Sequence, residues 1–445
     1  MKKRLLSFVM AAIFTLSFAT ANFSASAASQ TRIEALVTII QAIGREDEAL
    51  ATTAENPFTD VPEWADRYAA YAYENGIVAG VGGNLFDSDR EITAEEYTAM
   101  LERAKGLADT NNPAVDENAL QIADQGIFSS GGTVTEPVAG EFDETTNWLD
   151  STRAGNTAHV DHANVFYQRP VNEIGLPMVF LHGYGQSRMG WMTTPDGREG
   201  WSDMFLRDGH SIFLVDQPRR GEAGSTAAMT NDNIDTWSAE SKEYMPGDQS
   251  WYTHFRIGRV APERYEGSQF PEGEEAQNQF FRQMTPNTGS FDMAVNAAAM
   301  DEVMQDVYDM TGKKSIYVTH SQGGAVGWEV DPTNVAAIVA IEPGGTPAID
   351  SEQYNKFLEA DIPIVIYFGD YIDNGPEDIQ STSFWKGIRD TAVQFAESYN
   401  ADGGNCTVVN LPDIGITGNS HFMFQELNNG EIAAHIENWI QENVQ

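Results

Sequence analysis

Lys314-Ser315-Ile316-Tyr317-Val318-Thr319-His320-Ser321-Gln322-Gly323-Gly324-Ala325 is an apolar run that passes straight into a turn of small residues and then into a helical pattern. A strand entering a helix through so tight a turn holds the residue at the apex in a strained backbone and pushes its side chain outward. Ser321 is at the apex. Such a turn demands small neighbours on both sides, and Gly323 and Gly324 supply them after the serine. Before it, Thr319 stands where the strict pattern has glycine, so crowding is expected there. Gln322 opens the helix, where an unsatisfied N–H and the helix dipole both favour negative charge. The segment predicts a nucleophilic serine beside one half of an oxyanion pocket.

A second apolar run upstream, Pro177-Met178-Val179-Phe180-Leu181, ends in His182-Gly183-Tyr184-Gly185. In designs of this kind the loop after such a strand turns a main-chain N–H toward the reacting carbonyl, which makes the Tyr184 N–H the other expected donor. His182 itself reads as a packing residue. The next strand, residues 211–215, leads into Asp216-Gln217-Pro218-Arg219-Arg220-Gly221, where Asp216 and Arg220 read as loop braces.

A serine hydroxyl needs a base to take its proton, and the base needs a carboxylate to orient it. Only His421 and His435 follow Ser321. His421 comes after a strand-like stretch and a glycine-containing loop, as a loop-borne base should, whereas His435 falls on the C-terminal helical pattern and reads as a helix-surface residue. Two apolar strands end in carboxylates, residues 335–341 at Glu342 and residues 363–368 just before Asp370. Both lie where such sheets place their chemistry, at the carboxyl ends of strands, and position alone favours Asp370 or Asp373.

Beyond residue 150 short apolar runs alternate with helical stretches, which predicts βαβ units on a doubly wound, mostly parallel sheet. From Leu176 onward the sequence resembles a secreted bacterial esterase family within the α/β-hydrolases. The resemblance rests on His182-Gly183, residues 193–201 (Thr-Thr-Pro-Asp-Gly-Arg-Glu-Gly-Trp), Asp216-Gln217 with Arg220-Gly221, His320-Ser321-Gln322-Gly323, Glu342-Pro343-Gly344, Phe368-Gly369-Asp370 and Gly418-Asn419-Ser420-His421. It implies an α/β-hydrolase fold that cleaves a small-molecule carboxylic ester, with Ser321 as nucleophile, His421 as base and Glu342 as acid. Asp370 then becomes a strand-end structural residue. Residues 222–289 carry Trp237, Tyr244, Trp251, Tyr252, Phe255, Tyr265, Phe270, Phe280 and Phe281, and are expected to form a cap insertion. Thioester cleavage, lactone cleavage and acyl transfer on the same residues stay open, because pocket shape decides among them. So does a non-catalytic wall-binding protein that uses the fold as a scaffold.

The N-terminal part reads differently. Lys2, Lys3 and Arg4 precede an apolar run to Ala19, and Ala25-Ser26-Ala27 offers a cleavage site, so residues 1–27 are expected to be an export signal. Ile33, Leu36, Val37, Ile40 and Ile43 then recur at helical spacing, with Ile39 beside them and Gly44 as the stop. The unit that follows resembles an S-layer homology repeat through Phe58-Thr59-Asp60-Val61, Trp64, Ala72-Tyr73, Gly76-Ile77-Val78 and Gly80. Thr93 is placed to cap a helix with Glu96 as its capping-box partner. The resemblance implies a cell-wall polysaccharide as partner, although Ala94 occupies the position of the family's second arginine. A weak further partial repeat reads from Asn118 to Gly126, giving expected regions of 28–131 for the helical part, 132–150 for a polar linker and 151–445 for the hydrolase.

The chain has 445 residues, with 26 Lys and Arg against 66 Asp and Glu, a formal net charge of −40. Such a surface repels nucleic acid and anionic lipid. No run after the signal is long and apolar enough to span a bilayer. The histidines lack metal-ligand spacing and no glycine-rich phosphate loop follows a strand, so neither metal nor cofactor is expected. The lone Cys406 has no intramolecular partner. The protein is expected to be secreted or held at the cell wall.

Overall fold

The computed structural model describes residues 30–105, 107, 119–146, 154–226 and 247–444. The expected signal, residues 1–27, lies outside the described residues, as do Trp237 and Tyr244 of the expected cap. The chain divides into two compact units, residues 1–119 and 120–445.

In the first unit Thr31 caps the helix Arg32–Ala42 in a capping box with Glu34. Ile33, Leu36, Ile39, Ile40 and Ile43 are buried, so Ile39 belongs to the core stripe and Val37 only flanks it. Thr93 and Glu96 exchange the expected capping-box bonds ahead of the helix Ala94–Lys105. Glu96 also receives Arg32 at 2.6 Å and Arg90 at 2.7 Å, so an arginine four residues earlier pairs there although Ala94 brings none. Asp60 accepts from the N–H groups of Phe86 at 2.7 Å and Asp87 at 2.6 Å, tying the two ends of the repeat together. Gly80 is required where it stands, since a Cβ would lie 2.5 Å from the Phe58 ring.

The second unit is built on an eight-stranded sheet. Its strands are β1 (Ile122–Ser130), β4 (Ala163–Pro170), β5 (Met178–Leu181), β6 (Ile212–Asp216), β7 (Ser315–His320), β8 (Val335–Ile341), β9 (Ile364–Phe368) and β10 (Cys406–Asn410). A two-stranded ribbon, β2 (Thr133–Val134) with β3 (His159–Val160), lies apart from it. The order across the sheet is β1-β4-β6-β5-β7-β8-β9-β10, with β4 antiparallel to both its neighbours, β1 and β6, and the remaining neighbours parallel. Strands β5, β6, β7 and β9 are buried at every position, as central parallel strands covered on both faces must be.

The register places the chemistry at one edge. Leu181 pairs with Thr319, His320 with Ile341 and Ile341 with Tyr367, so the segments after β5, β7, β8 and β9 leave the sheet side by side. These segments contain Gly183, Ser321, Glu342 and Asp370.

The boundary between the units differs from the sequence expectation of 131. Residues 122–130, read as part of the helical region, form β1 and pair with β4 from Ser130↔Ala163 to Ile122↔Pro170. The expected linker likewise contributes β2. The physical reason is the edge position: most of β1 faces solvent, so Asp124, Gln125 and Gly126 break the apolar alternation that would have marked a strand.

Within the expected cap, the helices Asp248–His254 and Glu274–Arg282 bring Trp251, Tyr252 and Phe280 into the main core, and the chain between them adds Phe255 and Phe270. Among the described residues no helix is long and apolar enough to cross a membrane.

Candidate active site

Ser321 sits between β7 and the helix Gln322–Gly327 with φ 54° and ψ −117°, a backbone that few non-glycine residues adopt. Neighbouring chain approaches closely enough to hold it there. A Cβ on Gly323 would fall 2.5 Å from the His182 carbonyl oxygen, and one on Gly324 2.6 Å from Pro343. The crowding expected at Thr319 is relieved elsewhere: a Cβ on Gly327 would stand 3.0 Å from the Thr319 methyl, so the glycine that makes room is eight residues later.

The His182-Gly183 turn runs beside the serine. A Cβ on Gly183 would lie 2.9 Å from the Ser321 Cβ. His182 is buried and its pKa is drawn down to about 4, mainly by burial and then by Arg220. Its Nε2 accepts from the Gln217 N–H at 3.4 Å, the packing role expected of it. Gln322 is the first residue of its helix, so its N–H has no acceptor within that helix.

Glu342 and His421 come together. His421 Nδ1 lies 2.6 Å from Glu342 Oε2, and the carboxylate is fully buried. Burial alone would push the Glu342 carboxyl up, but Arg256 and His421 outweigh it and hold it down at about 2. Burial draws His421 down to about 4 against the pull of Glu342, so the imidazole is neutral at pH 7. Its Nε2 is buried with no hydrogen-bond partner among the described residues. Phe255 stacks on the ring at 4.7 Å and 10°, and Trp385 packs against it at 4.3 Å, so the imidazole sits between aromatic walls.

The other carboxylates go elsewhere. Asp370 accepts from the Gly418 N–H at 2.8 Å and the Tyr371 N–H at 2.7 Å, shaping the His421 loop without meeting its ring. Asp373 pairs with Arg389 and Lys386. His435 meets the Tyr367 hydroxyl at 2.8 Å. Asp216 accepts from the N–H groups of Arg188 and Glu222, a loop brace as expected.

Three contributors were not singled out from the sequence. Arg256, 1% exposed, donates to Glu342 Oε1 and, at 3.0 Å, to the Asp370 carbonyl. It comes from the cap, directly after the helix Asp248–His254, and no motif marks it. Glu426, fully buried, accepts from the Ser420 N–H at 2.9 Å and from Asn419 at 2.9 Å. Burial pushes its carboxyl up to about 7. His320 donates from Nε2 to the His421 carbonyl at 3.0 Å, since a carbonyl oxygen only accepts. The run His320-Ser321 was visible as part of the elbow, but its link to a residue a hundred positions later was not.

This order of strands and this strand–turn–helix serine define an α/β-hydrolase. Residues 178–405 match the alpha/beta hydrolase family, and the chain belongs to that family. Residues 57–98 match the S-layer homology domain. A probable secreted lipase, phiG, of Fungal sp. (strain ATCC 74256) is 26% identical over 312 residues, which is 60% of this chain and 82% of the lipase. A cell surface protein of Thermoanaerobacter kivui is 33% identical over 86 residues, 19% of this chain and 11% of that protein. A solved structure described as a novel bacterial esterase superposes with TM-score 0.61 at 28% identity, over 74% of this chain and 98% of its own. The protein is therefore a hydrolase with an S-layer homology domain, and both features agree with secretion or attachment at the cell wall.

Proposed function

We propose that this protein cleaves carboxylic esters through an acyl-enzyme on Ser321, with His421 as general base and Glu342 as its orienting acid. The observation that carries the reading is the buried 2.6 Å contact of His421 Nδ1 with Glu342, which leaves Nε2 as the one ring nitrogen without a partner. In this reading the Ser321 oxygen adds to the ester carbonyl while its proton passes to His421 Nε2. The Tyr184 and Gln322 main-chain N–H groups receive the negative charge on the former carbonyl oxygen. The alcohol leaves with the proton from His421, and water repeats the sequence to release the acid. The esterase and lipase names of the relatives support an ester as substrate.

A fluorophosphonate probe followed by peptide mapping tests this directly. The expected adduct is on Ser321, with hydrolysis of p-nitrophenyl esters lost in step; labelling elsewhere, or none in folded protein, sinks the reading.

The first unit is proposed to hold the enzyme at wall polysaccharide, on the strength of the S-layer homology match. Because β1 begins at Ile122, the hydrolase should keep its activity when the chain starts at Leu120, and should lose stability when the cut falls after Gly131. Sedimentation with purified cell walls before and after the shorter cut reports the anchor; binding that survives the cut counts against it.

A further inference from the structure

Arg220 is fully buried at the end of the loop that follows β6. Among the described residues its hydrogen-bond acceptors are all neutral. Nη1 donates to the Gly183 carbonyl at 2.8 Å, Nε to Asn287 Oδ1 at 2.7 Å, and Nη2 to Asn287 and, at 3.1 Å, to Gln322 Oε1. The guanidinium also lies over the Tyr184 ring, 5.5 Å from its centroid. Burial draws its pKa down to about 10, which still leaves it a cation at neutral pH. The buried Asp216 acts on the guanidinium electrostatically without bonding it, so the cost of burying this charge is met by neutral acceptors and not by a hydrogen-bonded ion pair.

The acceptors of Arg220 point to a use for that charge. The Gly183 carbonyl and the Tyr184 N–H are the two ends of one trans peptide. A cation bonded to the oxygen end draws electron density that way and makes the N–H a stronger donor. The same guanidinium fixes the side chain of Gln322, the residue that carries the other candidate donor. The Gly183 backbone passes so close to Ser321 that a Cβ there would be 2.9 Å from the serine's own.

We propose that Arg220 is a positioning residue that backs the oxyanion pocket, locking the Gly183–Tyr184 peptide and Gln322 while placing a fixed positive charge behind the oxygen that becomes negative. This rests on the reading of Ser321 as nucleophile. The charge is silent toward a neutral ester and acts once the tetrahedral adduct forms, so it lowers the barrier without tightening ground-state binding.

The test compares Arg220→Met and Arg220→Gln with the parent protein, using p-nitrophenyl ester kinetics and inhibition by an alkylboronic acid, whose serine adduct is a tetrahedral anion. The expected result is a kcat lower by about 100-fold with KM changed less than about threefold, and boronate affinity weakened in parallel. If Arg220→Met does not fold, Arg220→Gln removes the charge while keeping an amide donor for the neighbouring acceptors, and the same weakening is expected in the folded variant. Boronate affinity and kcat retained in a folded charge-free variant overturn the proposal, as does a rise in KM that accounts for the whole loss. Absence of a fluorophosphonate adduct on Ser321 of the parent protein overturns instead the reading on which it rests.

Discussion

Ser321 takes its position from one continuous segment, Ser315 to Gly327: a buried strand, one strained turn and a short helix with glycines where the neighbours press. His421 takes its position from places far apart in the chain. Its N–H donates to the Phe255 carbonyl at 3.1 Å, its ring to Glu342, and its loop is held by Asp370 and by Glu426. The candidate nucleophile is held by local backbone geometry and the candidate base by long-range polar contacts. The two should therefore fail in different ways. Damage to the turn shows up as packing strain, whereas damage to the loop shows up in charge and pH.

The largest effect is expected at the candidate acid, Glu342. Glu342→Gln should lower turnover by about 10³–10⁴-fold, because the imidazole loses the partner that fixes its tautomer, and should also lower the melting temperature, because the buried Arg256 loses its counter-charge. Asp370→Asn should stay within about tenfold, since the loop amides it holds do not touch the ring. Steady-state kinetics on the pair check this, and the reverse ranking would move the acid to the end of β9.

Next comes the cation that shares Glu342. Burial and Arg256 both draw the His421 pKa down, so the acidic limb of kcat/KM is expected near pH 4 in the parent protein. Arg256→Met should lower kcat/KM by about 10–100-fold at pH 7 and shift that limb to higher pH. An unmoved limb would mean that Arg256 only fastens the cap.

Glu426 gives a smaller effect, read in stability. Its carboxyl is raised in the folded protein to about 7, above the usual carboxylate range, so the folded state binds the proton more tightly than the unfolded one. This group's contribution is therefore fully present at acidic pH and declines as pH rises through about 7. Thermal melts of Glu426→Gln should lose that part of the slope.

The smallest effect belongs to the turn. Gly327→Ala should destabilise by about 1–3 kcal/mol through the Thr319 methyl, and Thr319→Ser should restore most of it. Equal penalties for Gly327→Ala with either residue at 319 would show that the two do not share that space.

The same contrast explains what the sequence could disclose. The elbow was legible because strand, turn and helix are contiguous, and the periodicities of its apolar residues survive in one short window. Position alone ranked Asp370 and Asp373 above Glu342, and only the family resemblance pointed to the carboxylate that meets His421. Arg256 lies 86 positions from Glu342, and an arginine among cap aromatics has no local pattern to distinguish it. Glu426 likewise reads as an ordinary acidic residue until the loop folds over it. Strand β1 was missed for a different reason, since a solvent-facing edge strand has little apolar face to display.

That edge strand also decides where a mechanical load would travel. A pull transmitted along the chain from the first unit enters the sheet at Ile122 and meets the eight residue pairs that join β1 to β4. Three further strands, β4, β6 and β5, stand between β1 and the strand that bears Ser321. Such tension meets the rim first, at a strand edge well removed from the strand end that carries the candidate nucleophile.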